Sequence, residues 1–524
     1  MRRTHKATAA LAALSLGMTL GFGTTGGVSA QEACTGALDV DGDGLADTPV
    51  GAPGEDIGKV RDAGSVTILR GAAGGKVTGA KAMSITQEKI GQKSRAGDNM
   101  GASVAVLHWN PGTDLCADLA IGIPGKDGGR GIVVVVLGSP SGLDLSKRIV
   151  LRQGANGAAD TAEAGDRFGQ SMDAGGQSAT GTDFSLVVGV PGEDIGAATD
   201  AGAVMTFSLS LSGPSPVFSR AGVLVRQGAG GVSDVPETGD GFGSAVSFGG
   251  AGFSQVLAIG VPGEDIAGKK DAGAVHQMDT DGVTQTAFVH QNVPRVGGTN
   301  QAGDRFGSAI SWVPSCLGPQ MTPVMAIGVP GKDLGGASNT GAIVLHEVEE
   351  SPVADRIYFQ GPANGFVDAA EAGDAMGSTL ATTRSELLIG VPAEDIGKKV
   401  DAGMVIVVRF GCTGEPFSGN LGLVSARAVH QNSKGVGDTA EKNDRFGASI
   451  GVTGWADFSG NTIVVGSPGE SVGKVRGAGS VTVFSANPYA ALGAGAVITQ
   501  NSQGVPDTAE TGDGFGSGLA VSAV

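Results

Sequence analysis

Between Asp39 and Asp47 the chain reads Asp-Val-Asp-Gly-Asp-Gly-Leu-Ala-Asp, with carboxylates at the first, third, fifth and ninth places and Gly at the sixth. Calcium takes about six to eight oxygen ligands, and EF-hand-type loops supply them at alternating positions with a Gly where the loop bends. Asp39, Asp41 and Asp43 would each offer a side-chain oxygen, Leu45 its main-chain carbonyl, and Asp47 would close the set. Carboxylates this crowded repel one another unless a cation joins them, so the expected cofactor is Ca2+. Residues 110–118 hold a worn copy: Asn110, Asp114 and Asp118 keep their places, while Gly112 and Leu115 replace the second Asp and the Gly. No strong site is expected there.

Signs of catalysis are harder to find. The chain contains no Gly-x-Ser-x-Gly elbow, no His-Glu-x-x-His pair and no phosphate-binding Gly-rich loop. His290-Gln291 and His430-Gln431 look like a repeated pair, but Arg152-Gln153, Arg226-Gln227, Phe359-Gln360 and Thr499-Gln500 fall at the same place in other units. A position that accepts Arg, Phe or Thr is not a catalytic histidine. Paired carboxylates for glycoside hydrolysis remain an open alternative, since acids abound.

The elements that must position the acidic loop follow from a repeat. Gly makes up 93 of 524 residues, against 22 Pro and 4% aromatics. Gly disfavours helix interiors, and the spacing is not collagen-like, so a turn-dense β protein is implied. Phe-Gly recurs at Phe168, Phe242, Phe306, Phe446 and Phe515, with Met100-Gly and Met376-Gly as variants, at intervals of 64 to 74 residues. A second anchor, Gly-x-Pro-Gly-Glu-Asp or a near match, has its Pro at 53, 124, 191, 262, 330, 392 and 468. Each unit reads as four short strands; in the third these are 168–175, 185–190, 202–209 and 222–226. Pro and Gly stop the second strand because Pro cannot donate to a ladder. The first unit lacks a Phe-Gly strand, and the segment after residue 505 has one but no Pro-Gly turn. The expected fold is therefore all-β: a seven-bladed β-propeller of four-stranded blades, closed by the C-terminal strand completing the N-terminal blade. Its Phe and Met anchors are expected to fill the gaps between blades.

Residues 1–30 read as a secretory signal, with Arg2, Arg3 and Lys6, an apolar stretch, and small residues at Val28-Ser29-Ala30. The propeller then spans 31–524. Removing the leader takes three basic residues and no acidic one, so the net charge moves from −17 to −20. Such a surface repels nucleic acid, and no other apolar run reaches membrane-spanning length. A secreted, extracellular monomer is expected.

Phe-Gly followed by Gly-Ala-Pro at this spacing resembles the FG-GAP repeat, which builds the seven-bladed head of integrin α chains and related bacterial secreted proteins. The resemblance covers nearly all of residues 34–524. It implies an Asp-x-Asp-x-Asp-Gly-x-x-Asp calcium loop just before the Gly-Ala-Pro strand, which is where Asp39–Asp47 sits relative to Gly51. Integrin heads carry several such loops and this chain keeps one intact. Four cysteines in a secreted chain favour two disulfides, with three possible pairings. Cys34–Cys116 and Cys316–Cys412 are favoured because each would clip neighbouring units.

Strands alternate in direction, so the turn after strand two and the connection between units should share one face, opposite the calcium loop. Of the 52 acids, 32 fall in those two sets of turns. Loops on a rigid scaffold carry binding. The function expected is recognition or adhesion through this acidic face, with an extracellular protein or surface glycan as partner. The alternative is a secreted hydrolase of esters, phosphodiesters or glycosides, working in the central funnel. Asp is also a turn residue that accepts local N–H groups, so much of the acidity should be architectural.

Overall fold

Seven separate four-stranded antiparallel sheets are hydrogen-bonded in the order in which their strands appear, innermost to outermost. They are seen in a computed structural model that describes residues 39–524, except 73–75, 108–115, 156–157, 176–183, 211–216, 250–255, 280–282, 314–323, 349–354, 363–364, 384, 414–419, 454–460, 487–493 and 521–524. The expected leader at 1–30, Cys34, Cys316, and Asn110, Gly112 and Asp114 of the worn loop lie outside the described residues. Cys116 is disulfide-bonded. Its pairing with Cys34 and that of Cys316 with Cys412 stay expectations. No helix among the described residues is long and apolar enough to cross a membrane.

The third blade shows how sequence becomes sheet. Its strands are Met172–Gly175, Phe184–Val190, Ala203–Ser210 and Val217–Val225. The second and third strands are largely apolar runs with neighbours on both faces, so they carry Val, Leu, Met and Phe without strict alternation. The corresponding strands Val256–Val261 and Ala274–Met278 of the fourth blade are buried along their whole length. The outermost strand of the third blade starts earlier than 222. Register shifts between Thr206 and Leu209 let the residues from Val217 onward keep pairing. A bulge of this kind absorbs extra residues without ending the ladder.

The innermost strands contact one another in sequence all the way around, from Val104–Leu107 through each blade to Gly518–Leu519 and back. Closure is as expected. Gly518–Leu519 pairs with Thr48–Ala52, matching Val50 with Leu519 and Gly51 with Gly518. The first blade is thus composite, and the chain forms an all-β, seven-bladed propeller.

Between blades sit the anchors. Phe168, Phe242, Phe306, Phe446, Phe515, Met100 and Met376 are all wholly buried. Phe168 packs with Val133 and Val135 of one blade and Leu186 and Val188 of the next. The approach there is too close for a side chain. A Cβ placed on Gly51, Gly122, Gly189, Gly260, Gly328, Gly390 or Gly466 would come within 2.3 Å of the carbonyl oxygen of the Gly that follows the next anchor. Only Gly lets the two backbones meet.

Candidate functional site

The acidic loop enters the first blade at the end opposite the Pro-Gly turns, since it lies beside Gly71 at the far end of strand Ser65–Ala72. Its turns are held by its own first carboxylate. Asp39 Oδ1 accepts the N–H groups of Gly42 at 2.7 Å and Asp43 at 3.0 Å, and Oδ2 accepts that of Gly44 at 2.6 Å. Asp43 in turn accepts the N–H of Leu45 at 2.9 Å. Gly42 and Gly44 have φ of 76° and 85°, a left-handed bend that side chains resist. The outcome is a cage edge: oxygens of Asp39, Asp41 and Asp43 lie within 4.8 Å of one another.

Leu45 is the exposed tip of the loop. Asp47 stands apart from the three clustered carboxylates. It is wholly buried, and its Oδ1 accepts the Gly71 N–H at 2.7 Å. Its Oδ2 has no hydrogen-bond partner and lies 3.5 Å from Arg70 Nη1, which is itself 2.5 Å from Asp41 Oδ2. Burial is the main cause that raises the Asp47 carboxyl to about 7, and burial likewise raises Asp41. A buried acceptor without a donor is what a bound cation would satisfy. The clustered set of Asp39, Asp41 and Asp43 fits a hard divalent ion: carboxylates at alternating positions, turned by Gly. In the second blade, Asp118 reproduces the structural half of this arrangement. It is wholly buried and accepts the Gly138 N–H at 2.7 Å. The ninth place of the loop therefore locks a strand end in both blades.

The loop also joins two blades. Val40 is buried in the cluster that contains Val104, Val106 and Leu119 of the second blade. Its carbonyl accepts the N–H of Leu143 at 2.9 Å.

On the other face, main-chain bonds bring the two sets of acidic turns together. Gly192 donates to the Asp166 carbonyl and Gly263 to that of Asp240, each at 3.0 Å. Many of the acids are architectural here. Asp194, Asp265 and Asp395 accept the N–H of Asp200, Asp271 and Asp401 six residues later, at 2.8 to 2.9 Å. Others stand free of such a role, at least in part. Glu163, Glu237, Glu371, Glu441 and Glu510 are exposed at equivalent positions in five interblade connections. Arg167 offsets Asp200 at 2.9 Å, and Arg95 pairs with Asp127.

Beneath that face each blade junction has a buried polar core. A Gln at the end of one blade's outer strand meets a Glu from the next blade's Pro-Gly turn and an Asp two residues before its anchor. Gln153 donates to Glu193, Gln227 to Glu264, Gln360 to Glu394, Gln431 to Glu470 and Gln500 to Glu55. The neighbouring Asp residues are 166, 240, 374, 444 and 513, all buried. Burial first, and the nearby carboxylates second, raise Glu193, Glu264, Glu394 and Glu470 to about 8 and Glu55 to about 9. Two junctions differ. Lys126 and Lys332 stand where the others have Glu, each with Nζ 2.9 Å from the local aspartate, Asp98 or Asp304.

The junction glutamines escape a search for titratable or nucleophilic residues, because Gln carries neither a charge nor a nucleophile. Their recurrence at 87, 153, 227, 291, 360, 431 and 500 is a signal visible once units are aligned. Two of the described histidines have structural surroundings. His276 is wholly buried with Nδ1 2.9 Å from Gln285 Oε1, and burial lowers it to about 4. His346 Nδ1 lies 2.7 Å from Asp355 Oδ2 inside the fifth blade. At the axis, Trp312 donates to Ser247 Oγ at 3.2 Å, and Ser311 and Thr382 hydroxyls meet at 2.5 Å.

Neither a family model nor a curated protein matches the chain. Among solved structures it is similar to the periplasmic gluconolactonase PpgL of Pseudomonas aeruginosa, at 12% identity over 86% of this chain and 96% of that one, with a TM-score of 0.44.

Proposed function

We propose that the protein is a secreted, calcium-bound recognition module of the FG-GAP type that engages an extracellular protein or surface glycan through its acidic face. The observation that carries this reading is the set of exposed glutamates at equivalent positions in five interblade connections, next to turn aspartates whose oxygens already accept main-chain N–H groups. Rigid presentation of repeated carboxylates suits a basic protein surface or a hydroxyl-rich glycan. Asp39, Asp41 and Asp43 would hold Ca2+, with Asp47 and the Leu45 carbonyl as the remaining protein donors. The ion would neutralise the loop and so tie the first blade to the second through Val40.

Two measurements test it. Heating with calcium and with a chelator should give different midpoints, since a ligand that binds only the folded state stabilises it. Asp43→Ala should remove that part of the difference contributed by the loop; an unchanged difference refutes the loop as a calcium site. Capture of surface material should be retained by the intact protein and lost when Glu163, Glu371 and Glu510, which belong to no carboxylate cluster, are changed to Gln. Turnover of a chromogenic ester, phosphodiester or glycoside, abolished by one substitution at the axis, would replace this reading with a hydrolase.

A further inference from the structure

The five Glu-type junctions are not identical. In two of them a third carboxylate joins the buried pair: Glu237 with Asp240 and Glu264, and Glu441 with Asp444 and Glu470, each set with oxygens within 4.8 Å of one another. None of these six acids has an ion-pair partner among the described residues. Three carboxylates gathered without a counter-charge are not by themselves a site.

Two independent observations point to a cation. The first is an underserved amide, shared with Gln153 and Gln500 of two other Glu-type junctions, which here falls beside a third carboxylate. Gln227 and Gln431 are 1% exposed; each spends its Nε2 on the cluster's Glu, and each leaves its Oε1 without any hydrogen-bond partner. Asp444 Oδ1, also buried, is left in the same condition. Buried oxygens of this kind are rarely left without a donor or a metal. The second is an internal comparison. At the equivalent place in two other junctions the chain puts a positive charge, the ammonium of Lys126 or Lys332, 2.9 Å from the equivalent aspartate. Lys332 also reaches the Thr299 carbonyl, and Lys126 the Gln87 side-chain oxygen at 2.6 Å. The ammonium there is surrounded by oxygens, as a metal ion would be. The fold therefore accommodates a cation at this position.

We propose that the Glu237–Asp240–Glu264 and Glu441–Asp444–Glu470 clusters, with Gln227 and Gln431, are two interblade binding sites for a hard divalent cation, Ca2+ being the ion that fits. The oxygens are all carboxylate or amide, the preference of Ca2+ and Mg2+ rather than of softer metals. Two of the three carboxylates come from one connection and the third from the facing turn, an irregular set. Ca2+ accepts such a set at about 2.3–2.6 Å, whereas Mg2+ demands near-ideal octahedra. These sites lie on the face opposite the Asp39–Asp47 loop, and they stand or fall independently of it.

The test uses the full-length protein carrying Asp43→Ala, so that the loop does not contribute. Bound calcium is counted by equilibrium dialysis, with magnesium in a parallel arm. Glu264→Gln with Glu470→Gln should lower the bound calcium by two equivalents relative to that parent, with an unchanged circular dichroism spectrum. An undiminished count overturns the proposal. Displacement by equimolar magnesium overturns the choice of ion. Should the Gln variant fail to fold, Glu264→Lys with Glu470→Lys copies the chain's own Lys junctions. That variant should fold and lose the same two equivalents, and its melting midpoint should not respond to chelator. A midpoint that still responds as the parent's does refutes the assignment.

Discussion

Lys332→Met isolates the electrostatics of one blade junction. The ammonium and the Asp304 carboxylate are 2.9 Å apart, with side chains 5% and 0% exposed. At an effective dielectric of about 20, Coulomb's law gives an attraction of about 6 kcal/mol at that distance. Desolvation cancels much of that sum, but removing one partner leaves the other charge buried and uncompensated, at a cost of about 3–5 kcal/mol. For a fold of about 490 residues, an unfolding entropy of about 2.1 cal/mol/K per residue totals about 1 kcal/mol/K. The midpoint should then fall by about 3–5 °C, provided near- and far-ultraviolet dichroism melt together. Asp304→Asn in the same chain should recover a large part of the loss, because the stranded charge goes with it. The single and double variants should therefore be non-additive by about 2 kcal/mol or more. Acid should narrow the gap between Lys332→Met and the parent, since a protonated Asp304 no longer needs its partner. A single variant within about 0.5 kcal/mol of the parent at neutral pH, or strictly additive effects, would refute the account of these junctions.

Three further outcomes are expected. Gly328→Ala places a Cβ 2.0 Å from the Gly377 carbonyl oxygen and should cost at least about 1–3 kcal/mol in urea unfolding, as overpacking does. Glu394 has its carboxyl raised to about 8, by burial first and Asp374 second. The group therefore binds more protons folded than unfolded between about pH 4.5 and 8, so its contribution is full below that window and lost as pH rises through it. Relative to the parent, Glu394→Gln should gain stability steadily with pH across that window, measured in chelator; a flat difference argues against a neutral Glu394. Deleting residues 505–524 removes the innermost strand of the composite blade, and should lower the melting midpoint far more than trimming 521–524 alone.

The architecture was legible because its signals are local. Pro191-Gly192 stops a strand within the segment that contains it, and Phe168-Gly169 recurs at a fixed interval, so counting anchors gave seven blades and the mismatch between the two chain ends gave the composite one. The candidate sites were only half legible. Asp39, Asp41 and Asp43 cluster because they are neighbours in one loop. Arg70 enters that loop from the adjacent strand, and nothing in the nine-residue motif announces it. Asp47 reads as a ligand by spacing, yet one of its oxygens is committed to Gly71 across the sheet. The junction cores are the hardest case. Gln431 and Glu470 are 39 residues apart and belong to different blades, so their meeting depends on how blades stack. The acids of the two sets of turns were expected on one open face, yet Asp166, Glu193, Asp240 and Glu264 among them are buried beneath it, because that depends on how blades stack.

The pairing of Gly51 with Gly518 sets a condition on how the molecule is made. Every other blade is built from strands that leave the ribosome close together. The first blade must wait while more than four hundred residues are synthesised before its inner partner exists. Holding the ends of such a long loop together costs about 5 kcal/mol of chain entropy, against far less for a hairpin. Until then strand Thr48–Ala52 presents a bare apolar edge, the kind that recruits other chains. The ring thus acquires its final cooperativity in one late step, and the window before that step is when aggregation competes with folding.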